Sequence, residues 1–190
     1  MQHFYKNIQG WSAFLALYDE MVRKAPAYGA VFVEVGAWKG RSTAYMGVAI
    51  ANSGKNIKFH VVDHFLGAAE QIARGEPELV SGTLFDVFMK NVAPVRQYLT
   101  VHRMSSAEAA ATFANYSVDF LLLDGSHDYY SVRDDLAAWL PKMKLGAVVG
   151  GDDWTKPGVR QAVTEVFGSK PSLFGGINKK GFVKCWRVVV

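Results

Sequence analysis

The sequence has a single cysteine, Cys185, which excludes an internal disulfide and any cysteine-held metal cluster. No apolar run approaches the ~18–20 residues that span a bilayer; stretches such as Ala30–Val35 and Leu145–Val149 are strand-sized. Met1–Gln9 is polar and aromatic and lacks the apolar core of a signal peptide, so a cytoplasmic protein without a membrane partner is expected. With 6 prolines and 18 glycines in 190 residues, the chain is neither linker-rich nor collagen-like. Charge of one sign is not in large excess either. The net charge is +4 and the pI about 9.1, but the basic residues are scattered. Their nearest approach to a cluster, Lys179-Lys180 with Lys184 and Arg187, reads as a solvated surface, so no nucleic-acid partner is expected. Two phosphate-binding fingerprints are also missing. Trp38 and Lys39 break G-x-G-x-x-G, and G-x-x-x-x-G-K-[ST] does not occur.

What the sequence does have is enough apolar material for a sizeable core, 50% hydrophobic against 20% charged, on a chain sized for one α/β domain over 1–190. Strand-like runs alternate with helix-like ones. Trp11, Phe14, Leu15, Tyr18, Met21 and Val22 fall at helical spacing, predicting a leading helix over Gly10–Lys24 within an N-terminal helical extension (1–29). Val31–Val35, Ile57–Val62, Leu99–His102, Val118–Leu123 and Ala147–Gly150 read as strands covered on both faces. Between them lie helices over Arg41–Ala51, around Leu84–Val92, over Ser106–Phe113, and one opened by a Ser131/Asp134 capping box. A further helix starts near Pro157 and is expected to bury Val159, Ala162, Val163, Val166 and Phe167. The ending differs. Leu173-Phe174 and Phe182–Val190 are two strands joined by a Gly175–Gly181 loop, with no helix between. The expected fold is therefore α/β, a doubly wound, mostly parallel seven-stranded sheet with an antiparallel C-terminal hairpin strand. The apolar ending Val188-Val189-Val190 also suits a homodimer.

In such sheets ligands bind at the carboxyl ends of the strands, where the winding reverses. Three strand ends carry chemistry. The first runs Glu34-Val35-Gly36-Ala37-Trp38-Lys39-Gly40-Arg41-Ser42, where glycines permit a tight turn and close ligand approach to a helix N-terminus. The second ends in Asp63-His64. Asp63 is placed to accept from both hydroxyls of a ribose, with His64 beside it. The third site joins Asp124, closing one strand, with Asp152 and Asp153, closing the next. Three carboxylates at one rim repel unless a cation lies among them, and an all-oxygen set suits Mg²⁺, Mn²⁺ or Ca²⁺. His127 lies three residues beyond Asp124, within reach of that rim as a base.

Asp124-Gly125-Ser126-His127-Asp128-Tyr129, followed by Gly146–Trp154 ending in Asp152-Asp153-Trp154, gives the chain a family resemblance. It resembles class I S-adenosylmethionine-dependent methyltransferases. More narrowly, it looks like the metal-dependent sugar O-methyltransferases of the macrocin O-methyltransferase type, related in fold to cephalosporin hydroxylase. The resemblance spans roughly Val31 to Phe167. It implies a cofactor loop formed by Glu34, Gly36, Ala37 and Gly40 around the methionine part, with Ser42 at the helix start. It also implies ribose held by Asp63, adenine approached by Ser105 and Ser106, cofactor contacts from His64 and Asp124, metal held by Asp124, Asp152 and Asp153, and His127 as general base. The implied cofactors are S-adenosylmethionine and Mg²⁺ or another hard divalent cation, and the implied partner is a small-molecule hydroxyl acceptor. Most such loops carry a third glycine near position 38; here Trp38 stands there and assigns a bulky ring to the substrate entrance.

The rival readings are a hydroxylase-like metal enzyme of the same fold, a cofactor-binding module without turnover, and a nucleic-acid methyltransferase. The last lacks N/D-P-P-Y/F after the fourth strand, and Cys185 sits in the terminal hairpin. Because an active site must exclude water, the weakly patterned Asp63–Ser81 is expected to be a lid, with Phe65 and Leu66 as its ligand contacts.

Overall fold

The computed structural model describes residues 1–177, 181 and 183–190. Its elements, in order, are α1 (Leu15–Lys24), β1 (Tyr28–Val35), α2 (Arg41–Ser53), β2 (Asn56–Val62), α3 (Ala69–Ala73), α4 (Pro77–Val80) and α5 (Leu84–Val92). There follow β3 (Leu99–His102), α6 (Ser106–Ala111), β4 (Val118–Leu123), α7 (Tyr129–Trp139), β5 (Met143–Gly151), α8 (Pro157–Phe167), β6 (Ser172–Ile177) and β7 (Val183–Val189). The seven strands form one sheet in the order β3-β2-β1-β4-β5-β7-β6. All neighbours are parallel except β7, which runs antiparallel to both β5 and β6. This is the doubly wound sheet expected from the alternating runs. The winding reverses between β1 and β4, so the loops leaving them diverge and open a crevice.

The strands are nearly all apolar because both faces are covered. On β1 and β4, Phe32, Phe120 and Leu122 enter one core with Phe14, Leu17, Tyr18 and Met46. Their neighbours Val33, Val35, Leu121 and Leu123 enter the other, with Val132, Leu136, Trp139, Val163 and Trp186. Among the described residues no helix is long and apolar enough to cross a membrane.

Several boundaries depart from the sequence reading. The leading helix starts at Leu15, not Gly10, because the Arg41 side chain holds the preceding segment through Ile8 O and Ser12 Oγ. Trp11 is thereby left 60% exposed instead of buried on a helix face. Helix α7 is capped by Asp128, whose side chain accepts from Ser131 N at 3.0 Å, not by a Ser131 box. Val166 of α8 faces outward, 39% exposed. Asp63–Ser81, weakly patterned in the sequence, holds two short helices, α3 and α4. Gly175 and Gly176 lie within β6, where the register with β7 shifts, instead of in the hairpin loop. Lys179, Lys180 and Phe182 lie outside the described residues. Of the apolar ending, the interior position of β7 buries Val188 in the sheet and leaves Val189 66% exposed.

On β2 and β3, His60 Nδ1 and His102 Nε2 are 2.9 Å apart against the Phe113 ring. Burial, then the neighbouring His102, pushes His60 down to about 4, and burial lowers His102 as well. An unfolded histidine takes up its proton near pH 6.5, whereas folded His60 resists it down to about 4, so stability falls as pH drops across that window. Because the pair is half-exposed, we expect an effect of about 1–2 kcal/mol. Urea unfolding at pH 7 and 4.5 should show wild type losing that much more than His60→Phe. Equal losses would remove the pair from the acid response.

Candidate active site

Val35 ends β1, and the chain turns at Gly36, whose φ is +87°. A side chain here would lie 2.6 Å from Gly125 N and closer still to the Asp124 carbonyl. The glycine is therefore demanded by the β4 loop passing against it, in addition to any ligand. Gly40, φ +87°, is required by packing on α5, since a Cβ would sit 2.8 Å from Val92 Cγ1. Between them, Ala37 N and Trp38 N both donate to Asp63 Oδ2, at 2.8 and 3.0 Å. Asp63 Oδ1 accepts from Phe65 N at 2.6 Å. Asp63 thus folds the first loop onto the end of β2 while keeping one edge toward the cavity it lines.

That cavity, about 310 Å³, is also lined by Gly36, His64, Ser105, Ser106 and Asp124, bringing together six of the residues read as cofactor-binding. Ser105 caps α6 through Glu108 N, and Ser106 Oγ accepts from Trp139 Nε1 at 2.9 Å. His64 Nδ1 accepts from Leu66 N, which leaves the ring half outside. Four expected members are placed elsewhere, and one of them, Gly40, lines neither cavity. Glu34 is fully buried beneath the loop and lines neither large cavity; Tyr18 Oη donates to its Oε1 at 2.9 Å and Thr43 Oγ1 to its Oε2 at 2.6 Å. Burial pushes its carboxyl up to about 7, against the hydrogen bonds from Ser42, Thr43 and Tyr18. It braces the turn against α1 and α2 instead of facing a ligand. Ala37 and Ser42 line a second cavity, not the first.

The second cavity, about 240 Å³, opens on the other side of Asp124, and Gly36, Trp38, Gln71, Asp124 and Gly125 line both. Its polar end holds Asp124, His127 and Asp153, each offering one ligand atom within 4.8 Å of the others. His127 Nε2 is 2.9 Å from Asp153 Oδ2. That hydrogen bond raises the imidazole, and although burial works the other way on Asp153, the imidazole and nearby lysines hold its carboxyl low. Asp124 is pushed well above the carboxylate range by burial, then by Asp152, Asp153 and Glu34. Asp152 lines the same cavity but stands outside that group of close donors. It is 7% exposed, and its Oδ1 accepts from Asp153 N at 2.8 Å and from Cys185 Sγ at 3.4 Å. Consecutive residues at a strand end point opposite ways, and Asp153, at φ +54°, turns back toward His127.

Such a group of donors fits a cation. Ligand atoms 4.8 Å apart or less are what two-ångström-scale metal–ligand bonds require, and an unrelieved repulsion already burdens Asp124. With an imidazole in place of Asp152, the set is no longer all-oxygen.

Residues that sequence reasoning missed complete the walls. Asp135 and Ser131, four apart on α7, line the first cavity, a juxtaposition visible in the helical period. Gln9, Trp11, Glu70, Arg74, Lys156 and Lys184 line the second and come from separate segments with no shared signal. Glu70 crosses its mouth to Lys156 Nζ at 3.0 Å, with Oε2 4.0 Å from His127 Nδ1. In the expected lid, Phe65 is buried against Phe85 and Phe88, while Leu66 is 68% exposed; neither lines a cavity.

Among curated protein sequences none matches the chain. Solved structures share its fold at low identity. The O-methyltransferase NovP aligns with TM-score 0.64 and 18% identity over 92% of this chain and 78% of its own. An O-methyltransferase from Bacillus cereus, solved in complex with SAH, aligns at 0.61 and 14% over 96% and 83%. TomG from Streptomyces achromogenes, an O-methyltransferase involved in tomaymycin synthesis and solved with SAM, aligns at 0.59 and 17% over 95% and 82%. The family described as "Methyltransferase domain" matches residues 33–154, from the first strand through both acidic strand ends. With well over half its length inside that match, and with the class I strand order, this chain belongs to the methyltransferase-domain family.

Proposed function

We propose that the protein is a cytoplasmic S-adenosylmethionine-dependent O-methyltransferase acting on a hydroxyl of a sugar or another vicinal diol, assisted by a divalent cation. The observation that carries this reading is the shared wall. One cavity suits a nucleoside, the other ends in a cation-fitting cluster, and Gly36, Trp38, Gln71, Asp124 and Gly125 line both. A donor methyl and an acceptor oxygen brought to that common rim are within reach of each other. The structural neighbours that are O-methyltransferases, two of them solved with SAM or SAH, support the same assignment.

In this reading Asp63 accepts from the ribose hydroxyls with the part of its carboxylate not used by the loop. Ser105 and Ser106 border the adenine, and the Gly36–Gly40 turn lies along the methionine part. S-adenosylmethionine supplies a methyl already activated by its sulfonium, which leaves the chain the task of alignment. Asp124 and Asp153 would hold the cation, with His127 as a third donor or as the base. Such a cation supplies acidification of a hydroxyl whose own pKa is far above neutrality. His127 accepts the acceptor proton, and Asp153 orients its ring through Nε2. Trp11 and Trp38 flank the acceptor cavity with apolar ring faces.

Calorimetric titration with S-adenosylhomocysteine, with and without Mg²⁺, tests the reading before any acceptor is known. Binding by wild type is expected without the metal. Asp63→Ala should weaken it about 10–100-fold, because the ribose loses a charged acceptor and the loop loses its brace. Unchanged affinity would remove Asp63 from the site, and no binding by wild type would overturn the assignment.

A further inference from the structure

The ammonium of Lys39 is the most enclosed cationic group of the cofactor turn, with the residue 4% exposed. It donates to Gln9 Oε1 at 2.7 Å and lies 2.7 Å from Glu78 Oε1. Lys39 O accepts from Asn91 Nδ2 at 2.8 Å, which ties the same residue to α5. A buried ammonium keeps its charge only when paired, and here both partners come from other segments. Gln9 belongs to the N-terminal wall of the acceptor cavity, and Glu78 to α4, in the same segment as Glu70 and Gln71 of α3 and the adjoining Arg74, which line the cavities. The second oxygen of Glu78, Oε2, is buried with no partner, so its carboxylate depends on Lys39. The other end of that segment is tied to the same turn. Asp63 accepts from Ala37 N and Trp38 N with one oxygen and from Phe65 N with the other. Between these two attachments, α3 reaches across the mouth through the exposed Glu70–Lys156 pair.

We infer that Lys39 is a positioning residue that joins the cofactor turn to the segment lining both cavities, so that ligand binding at the turn orders it as a cover. This inference rests on the methyltransferase reading of the site above. The buried pair and Asp63 act as the hinge, and the Glu70–Lys156 pair, screened by water and salt, is the side that opens. The cover is therefore fixed at both ends to the loop that holds the cofactor, and it transmits any displacement of that loop to the acceptor wall through Gln9.

Hydrogen exchange of the full chain, with and without saturating S-adenosylhomocysteine, tests this. In wild type, the ligand should slow exchange in residues 69–80 about tenfold. In Lys39→Met, the strands should exchange as in wild type, and affinity should fall about tenfold. At saturation the slowing in 69–80 should nevertheless be lost. Glu78→Gln, which keeps size and a hydrogen-bond acceptor, should show the same uncoupling and decides the matter if Lys39→Met does not fold. Lys156→Met should loosen 69–73 while the slowing over 77–80 persists. Full slowing in ligand-saturated Lys39→Met or Glu78→Gln would overturn the inference, as would faster exchange spread evenly through the sheet. A wild type that binds no S-adenosylhomocysteine would overturn the methyltransferase reading itself, a different result from binding without uncoupling.

Discussion

Gly36→Ala is expected to lower stability by about 3–5 kcal/mol and to abolish binding of S-adenosylhomocysteine. Two separate penalties meet at this position. A left-handed residue with a side chain costs roughly 1–2 kcal/mol in any protein, and Gly36 has φ +87°. The larger penalty is steric, because the new methyl would land on the backbone of Asp124 and Gly125, which no rotamer change relieves. Asp124 N is bonded to Val35 O, and Gly36 N to Val62 O, so neither loop retreats without breaking the sheet at its switch point. For a chain of this size the loss corresponds to a fall of roughly 10 °C in Tm. Thermal unfolding together with titration would check both halves, and a variant with wild-type Tm would show that the two loops separate freely.

The second large effect is expected from chelation. EDTA should reduce methyl transfer to a diol acceptor by at least about 100-fold, while affinity for S-adenosylhomocysteine changes less than about threefold. The separation follows from the layout. Asp63, Ser105 and Ser106 lie on the β2 and β3 side of the crevice, whereas His127 and Asp153 lie on the β4 and β5 side. Asp124 is common to both, which is why a small change in affinity is allowed for. Re-addition of Mg²⁺ or Mn²⁺ should restore turnover. Full turnover in chelator would mean that the acidic cluster works through His127 alone.

Much of the architecture was legible because buried parallel strands announce themselves as short apolar runs, and several candidate site residues, Asp63, Asp124 and Asp153 among them, were legible as the residues just past a strand. What failed has particular physical causes. Glu34 shares a face of β1 with Phe32, and the two-residue period of a strand already sends both toward the α1 side, away from the rim. Asp152 and Asp153 both line the cavity, but only Asp153 joins the close donor group with His127; which one does so depends on the left-handed turn at Asp153 and on the Cys185 thiol that Asp152 accepts from. The N-terminal wall was read as helix because its apolar spacing continues through Trp11. The side chain that undoes the helix, Arg41, lies a long way along the chain. The capping of α7 was misplaced by three residues because Asp128 and Ser131 are both good caps, and only the fold selects between them. Walls built from several segments, such as Gln9, Glu70 and Lys184 around one cavity, leave no local trace at all.

The antiparallel β7 has a consequence for the order in which a growing chain becomes competent. The turn after β1, Asp63, and the serines of α6 are all synthesised before β4, and β4 and α7 then add Asp124, Ser131 and Asp135 to the first cavity while the second is still missing its floor. That floor is Cys185 beneath Asp152 and Lys184 beside it, on the strand that inserts last, between β5 and β6. The wall of the second cavity is therefore the last part of the crevice that a growing chain can close.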